Sequence, residues 1–364
     1  MAVRRLTNEE ARRIAVRAQL LDADRPTDLV ATATRLTLLQ LDPTSVVAPN
    51  ADLVAWARLG ERYRPEDLVR AVEVDRTLFE FSGQPSPTEP GVVMLRPTEH
   101  LPLYLEDMAS WPPEGSRTRA WLDANAAFRD HVLARLRESG PVASREIEDT
   151  CAVPWQSTGW TNDRRNVTRM LDVQMTRGEV AVSARQGRER LWDLAERVFP
   201  EVEPVPAEEA RAIRNAARLR SLGFARPRVV GEDGVPVEVE GTKGVWRLDP
   251  AATAEAFEGR TALLSPFDRL VHDRKRALEV FGFEYTLEMY KPKDKRRWGY
   301  FALPVLASDR LVGKVDAAAD RKASVLRVHA IHRDVPWTRR VAASVDTELR
   351  ALSAWLGLDT VAVA

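Results

Sequence analysis

The chain has 364 residues, 44% of them hydrophobic and 30% charged, and its 54 basic and 54 acidic side chains cancel. Such a composition excludes a disordered chain, and at about 100–200 residues per domain it predicts two to four packed units. The zero net charge gives no global support for nucleic-acid binding, so any such surface has to come from local clustering.

No stretch reaches about 18 consecutive apolar residues, and the opening MAVRRLTNEEARR lacks the apolar core of a signal peptide. The expectation is a soluble cytoplasmic protein with no membrane partner. Cys151 is the only cysteine, which excludes an intrachain disulfide and a cysteine-rich zinc module. Of the five histidines only His329 and His332 lie close, as H-x-x-H, and one spacing without further ligands is weak evidence for a metal site.

In chain order, Thr7-Asn8-Glu9-Glu10 has the capping-box pattern, and Ala11, Ile14, Ala15, Ala18 and Leu21 follow at helical spacing, predicting a helix over 8–21. Thr27-Asp28 opens a second helix ending near Arg35. The apolar run from Leu36 to Leu41 then reads as an extended segment stopped at Asp42-Pro43. A helical stretch at 65–75 precedes Pro- and Gly-rich sequence at 83–97, read as a loop, and WPPEGS at 111–116 is a linker.

From 117 to 200 the pattern is a helix (120–138), a short helix (SREIEDT), a loop, a helix (162–177) and a hairpin with Gln186-Gly187-Arg188 at its tip. That is the order of a winged helix, whose last helix commonly enters a DNA groove. Residues 206–248 repeat it more loosely, with a helix closed by Gly223 and a second wing in VEVEGTKGVWRL. After Thr261 the sequence turns to strands, EYTLEMY, WGYFALPVL, RLVGKVDAAAD and ASVLRVHAIH, which predict a meander curved into a small barrel, and a helix closes the chain. The expected class is α+β: tandem winged-helix domains followed by a β-barrel-like antiparallel domain. The predicted boundaries are 1–115 with the extended segment, 116–200, 201–258 and 259–364.

Three groups of residues have chemical potential. KPKDKRRWGY (291–300) sets Lys291, Lys293, Lys295, Arg296 and Arg297 against one acid, Asp294, and places Trp298 beside them. As a hairpin tip it suits phosphate contact through counterion release, with the aromatic able to stack on or wedge against a base; it also reads as a solvated turn. Upstream, His272-Asp273-Arg274-Lys275-Arg276 forms a second basic cluster, from which Arg274 and Lys275 are candidate DNA contacts. In the middle module Thr161, Asn162, Arg164, Arg165, Asn166 and Arg169 occupy the start and outer face of the expected recognition helix, where such side chains suit phosphates and base edges.

The third group is Gln40-Leu41-Asp42. In an extended segment residues two apart share a side, so Gln40 and Asp42 face one pocket while Leu41 anchors the core. A carboxylate beside an amide can hold and deprotonate one water. The same letters also fit an ordinary strand end, since Asp before Pro commonly starts a turn.

These segments resemble the bacterial crosslink-repair DNA glycosylases of the YcaQ and AlkZ type. The resemblance spans nearly the whole chain. It is carried by LLQLDPTSVV (38–47), LVAWARLG (53–60), SREIEDT (144–150), GWTNDRRN (159–166), GRERLWDLAERVFP (187–200), and the run from LLSPFDRLVHDRKR (263–276) through KPKDKRRWGY into LVGKVD (311–316). The pair Gln40 and Asp42 is the Gln–aliphatic–Asp version of the family's catalytic motif, as in its YcaQ-like branch, whereas 80–100 departs from the family's pattern. The resemblance implies tandem winged helices and a barrel-like domain around duplex DNA, and removal of N7-alkylated guanine, including crosslinked bases. It further implies Asp42 as general base and Gln40 as positioner of the water. No metal or cofactor is needed, and without a lysine beside the pair a Schiff-base lyase step is not indicated. A monomer acting on double-stranded DNA with alkylated bases, associated with the nucleoid, is the expected working form. From the helical modules alone a winged-helix transcription regulator, or a non-catalytic DNA-binding paralogue, stays open; the regulator would need a dimer and a palindromic site.

Overall fold

A computed structural model describes residues 4–82, 91–156 and 166–363. The chain forms two compact units, one made of residues 1–67 and 215–364, the other of 68–214. It passes from one to the other within the helices Pro65–Glu73 and Ala207–Leu222.

The first unit begins with the strand Arg4–Leu6 and the helix Asn8–Ala18. The capping box is present: Glu10 N–H donates to Thr7 Oγ1 at 3.1 Å and Thr7 N–H donates to Glu10 Oε2 at 2.8 Å. Thr7→Ala is therefore expected to cost about 1 kcal/mol, read as a lower urea midpoint with an unchanged m-value. Asp28 caps the next helix, Leu29–Leu36, as expected, through Ala31 N–H at 2.6 Å.

Arg4–Leu6 pairs in parallel with Val235–Val239, giving a four-stranded sheet in the order Arg4–Leu6, Val235–Val239, Trp246–Leu248, Phe224–Ala225. The hairpin Val235–Leu248 is the second wing expected from sequence. Its core is Leu6, Phe224, Val237 and Trp246, all sealed from solvent. Gly223 sits where the helix Ala207–Leu222 turns into this sheet, with φ +74°, and an added Cβ would come within 2.7 Å of Ile14 Cγ2. Both the left-handed backbone and the close approach demand glycine there.

The second sheet of this unit has five strands in sequence order: Thr261–Leu263, Ala302–Ala307, Arg310–Asp320, Val325–Arg333 and Thr360–Val363. Irregularities in register at Val305/Leu306 and Asp316/Ala317 add local twist, and the sheet curls into a half-barrel. The helix Arg339–Trp355 returns the chain so that Thr360–Val363 joins the edge in parallel, a pairing that needs such a crossover.

EYTLEMY, expected as the first strand, is not one. Phe283 and Tyr285 point inward alternately, but Glu288 then turns in as well, 3% exposed, and accepts N–H bonds from Arg297 (2.6 Å) and Trp298 (2.7 Å) and from Lys291 Nζ (2.8 Å). The basic segment is thus a loop closed around a buried carboxylate, with one 3₁₀ turn at Lys293–Lys295, rather than a hairpin tip.

The second unit holds the expected winged helix. Its three-stranded sheet runs Val142–Ala143, Glu189–Leu194, Val180–Gln186, so that the strand before the helices pairs with the last strand of the hairpin. The wing of the first unit has the same arrangement, with Phe224–Ala225 beside Trp246–Leu248. This shared strand order identifies the two modules as repeats of one motif. SREIEDT forms only a 3₁₀ turn, Ser144–Glu146, and the following helix is Asn166–Thr176. The antiparallel strands Leu78–Phe81 and Met94–Pro97 are tied to the wing through Glu80, which is 2% exposed and binds Arg185 Nη2 and Arg190 Nε at 2.6 Å each.

The single helix predicted over 120–138 is two, Arg117–Ala124 and Ala126–Ser139. Asn125 breaks it: the buried amide donates to Trp121 O and Val153 O and accepts N–H bonds from Ala152 and Val153. It thereby fixes the loop leading toward the second helix of the winged motif.

Candidate active site and nucleic-acid interface

Gln40 and Asp42 lie at the end of the short strand Leu39–Gln40, both half-buried. The helix before it ends with Thr37 in the left-handed region at φ 69°, which turns the chain out of the helix. Leu38 and Leu39, 4% and 1% exposed, anchor the segment. Leu41, expected to be the anchor, is only half-buried, because the strand stops at Gln40 and strict alternation stops with it.

Two contacts fix the backbone on either side. Asn50, 1% exposed at the start of the helix Asn50–Leu59, donates from Nδ2 to Gln40 O at 2.6 Å. Farther along, Ala319 N–H on the half-barrel donates to Val46 O at 2.9 Å. Asp42 Oδ1 accepts Thr44 N–H at 2.9 Å, an Asx turn that orients the carboxylate. Its second oxygen and the Gln40 side-chain amide have no hydrogen-bond partner among the described residues. An oriented carboxylate with a free oxygen, two residues from a free amide, has the donor and acceptor set needed to bind and deprotonate a water. Asn50 was not singled out in the sequence; a helix-starting Asn ten residues after Gln40 was the available signal.

The expected DNA contacts divide sharply. Thr161, Asn162, Arg164 and Arg165 lie outside the described residues. Asn166 and Arg169 occupy local structure instead of an open face. Asn166 Oδ1 accepts Trp155 N–H at 3.0 Å, and Arg169 packs over the Trp155 ring at 4.2 Å.

Trp298, expected to stack on or wedge against a base, is 5% exposed and stacks on Tyr285 with centroids 6.1 Å apart. Its carbonyl meets His332 Nε2 at 3.1 Å, and Lys314 lies over its ring at 4.5 Å. Trp298 is a core residue, and the aromatics exposed at the two ends of the loop are Tyr290 and Tyr300.

In the same loop Arg297 pairs with Glu284 at 3.1 Å, and Arg296 donates to Lys291 O at 2.9 Å. Lys293 and Lys295 are its open cations. Upstream, Arg274 donates to Val271 O (2.7 Å) and Pro266 O (2.8 Å), and burial lowers its affinity for its proton. Lys275 faces solvent, loosely paired with Glu279 at 3.9 Å.

Two winged-helix repeats together with a curled sheet define an architecture suited to nucleic-acid binding. The sequence matches the family described as DNA glycosylase AlkZ-like over residues 33–232 and 227–355, and the chain belongs to that family. The fold is similar to that of Streptomyces sahachiroi DNA glycosylase AlkZ, with a TM-score of 0.66 at 19% identity, covering 98% of this chain and 99% of that one. The protein is thus a DNA glycosylase of repair, whose substrate is DNA. Among the described residues no helix is long and apolar enough to cross a membrane.

Proposed function

We propose that the protein hydrolyses the N-glycosidic bond of N7-alkylated guanine in duplex DNA, including bulky adducts and interstrand crosslinks, as a monomeric, monofunctional glycosylase. The observation that carries this reading is the Asp42 carboxylate, oriented by Thr44 N–H with its second oxygen free, two residues from a Gln40 amide that has no hydrogen-bond partner among the described residues.

An N7-alkylguanine already bears positive charge, so the base departs without a proton donor. What remains is to supply water and to stabilise an oxocarbenium-like sugar. Asp42 takes the proton of the attacking water and its charge faces the developing cation; Gln40 holds that water by hydrogen bonds. Asn50 keeps Gln40 in place through its backbone carbonyl. The half-buried setting of both residues fits an open site, which a crosslinked base requires more than a tight pocket for an extruded nucleotide.

A duplex with a single 7-methylguanine tests the reading. Free 7-methylguanine is expected in the supernatant by mass spectrometry, with the strand uncut until alkali is added. Binding without release would instead leave a non-catalytic DNA-binding protein, and spontaneous strand scission would mean a lyase.

A further inference from the structure

Beneath the wing of the first unit lies a cleft of about 510 Å³, whose lining includes Lys275 but otherwise none of the residues singled out from the sequence as contacts. Its walls are the short helix Pro227–Val230, the wing tip Gly241–Lys243 and the helix Arg274–Phe281. Five cations line it, Arg226, Arg228, Lys243, Lys275 and Arg276, against two acids, Asp273 and Glu279.

The cleft is built rather than incidental. Arg226 staples the wing to the helix, donating to Lys243 O at 2.6 Å and to Glu279 Oε2 at 2.9 Å while its guanidinium covers the Trp246 ring at 3.6 Å. That pairing occupies Glu279. Asp273 stands 3.8 Å from Arg228 and spends its other oxygen on Arg276 N–H, capping the helix.

Lys243 and Lys275 are exposed, and Lys243 has no ion-pair partner among the described residues. At the back, Arg276 is 5% exposed; Nη2 donates to Leu222 O at 2.9 Å, while Nε and Nη1 have no hydrogen-bond partner among the described residues. Buried unsatisfied donors on a cation are costly, and their field is weakly screened in such surroundings. An anion seated in the cleft would offset that charge.

The lining also says which kind. Trp246 is fully buried under Arg226, so no aromatic face is left on which a base could stack. Converging ammonium and guanidinium groups without a stacking platform suit the sugar-phosphate backbone and carry no sequence information. We propose that this cleft seats one phosphodiester of duplex DNA, with Lys243, Lys275 and Arg228 as its contacts and Arg276 as the buried charge behind them. The inference rests on duplex DNA as the substrate and is independent of which lesion is removed.

The test is fluorescence anisotropy of the full chain on a labelled undamaged duplex, across roughly 50–200 mM potassium chloride. Lys243→Ala/Lys275→Ala is expected to weaken binding and to flatten the plot of log K against log salt by about 0.9, one phosphate's worth of counterions. Asp273→Asn keeps a residue able to cap the helix and removes one negative charge from the cleft, so it is expected to bind several-fold tighter. Arg321→Ala/Lys322→Ala removes the same charge from an exposed turn outside the cleft's lining and should leave the slope alone.

An unchanged slope in the lysine variant overturns the proposal, and so does an equal fall in the control pair, since net charge would then be the cause. Absence of duplex binding by the wild type would overturn it together with the DNA reading itself. Melting temperatures equal to wild type confirm that the exposed substitutions leave the fold intact.

Discussion

Asp42→Asn is expected to slow release of 7-methylguanine from duplex DNA by roughly 10²–10⁴-fold, the range for losing a general base. Affinity for the undamaged duplex should change by less than about twofold, because the loss falls on the transition state alone. The substitution keeps shape and hydrogen bonding: an amide oxygen can still accept Thr44 N–H, so the turn that orients the side chain survives. What it removes is the negative charge, and with it both the proton acceptor and the partner for a cationic sugar. Single-turnover kinetics on a 7-methylguanine duplex, run beside anisotropy on the unmodified duplex, separates these effects. A variant that releases base at the wild-type rate would remove Asp42 from the mechanism; one that fails to bind would make its role structural.

How much of this was legible beforehand depends on how local the cause is. Thr7 with Glu10, and Asp28 before Leu29, act within one turn, and the sequence predicts both helix starts. The wings are equally local, since alternation and glycine-bearing turns fix a hairpin: Gly187-Arg188 of the expected tip joins the strands Val180–Gln186 and Glu189–Leu194. Where the reading failed, a distant partner decided. Glu288 sits at a position that alternation leaves outside, yet three donors from Lys291, Arg297 and Trp298 pull it in and dissolve the strand. Asn125 breaks a continuous helical pattern because the loop at Ala152 and Val153, 27 and 28 residues later, needs its amide. The edge strand Thr360–Val363 has no sequence signal because three of its four residues are exposed and its parallel partner lies across a helix. At the candidate site the letters Gln40 and Asp42 were legible, while the bond from Asn50 that fixes them was not.

The largest effect on stability is expected at Arg58, on the helix after the candidate site. Arg58 and Asp268 form an ion pair with both side chains wholly buried. Arg58 Nη2 donates to Asp268 Oδ1 at 3.0 Å, Nη1 donates to Asp268 Oδ2, and Nε donates to Gln19 O at 3.1 Å. Asp268 Oδ1 also accepts Leu270 N–H at 3.0 Å. The network continues from the Gln19 amide to Ser221 O at 2.6 Å and from Ser221 Oγ to Leu36 O at 3.3 Å, the last turn before the Gln40–Asp42 segment. Its polar atoms are satisfied only as a set.

Arg58→Met removes one charge and leaves the other stranded without water, which costs about 3–5 kcal/mol. It should lower the urea midpoint steeply. Arg58→Met/Asp268→Asn removes both charges while keeping a residue able to cap the turn at Arg269–His272, so it should recover a large part of the loss. A double variant as unstable as the single would mean that the pair stabilises the fold through its own attraction. Recovery would mean that the cost was the stranded carboxylate, and that the pair serves instead to lock the helix ends that deliver Gln40 and Asp42. In that second case the recovered variant, although folded, is expected to release base more slowly than wild type at unchanged DNA affinity, because Gln19 loses the guanidinium that holds it under Ser221 and Leu36.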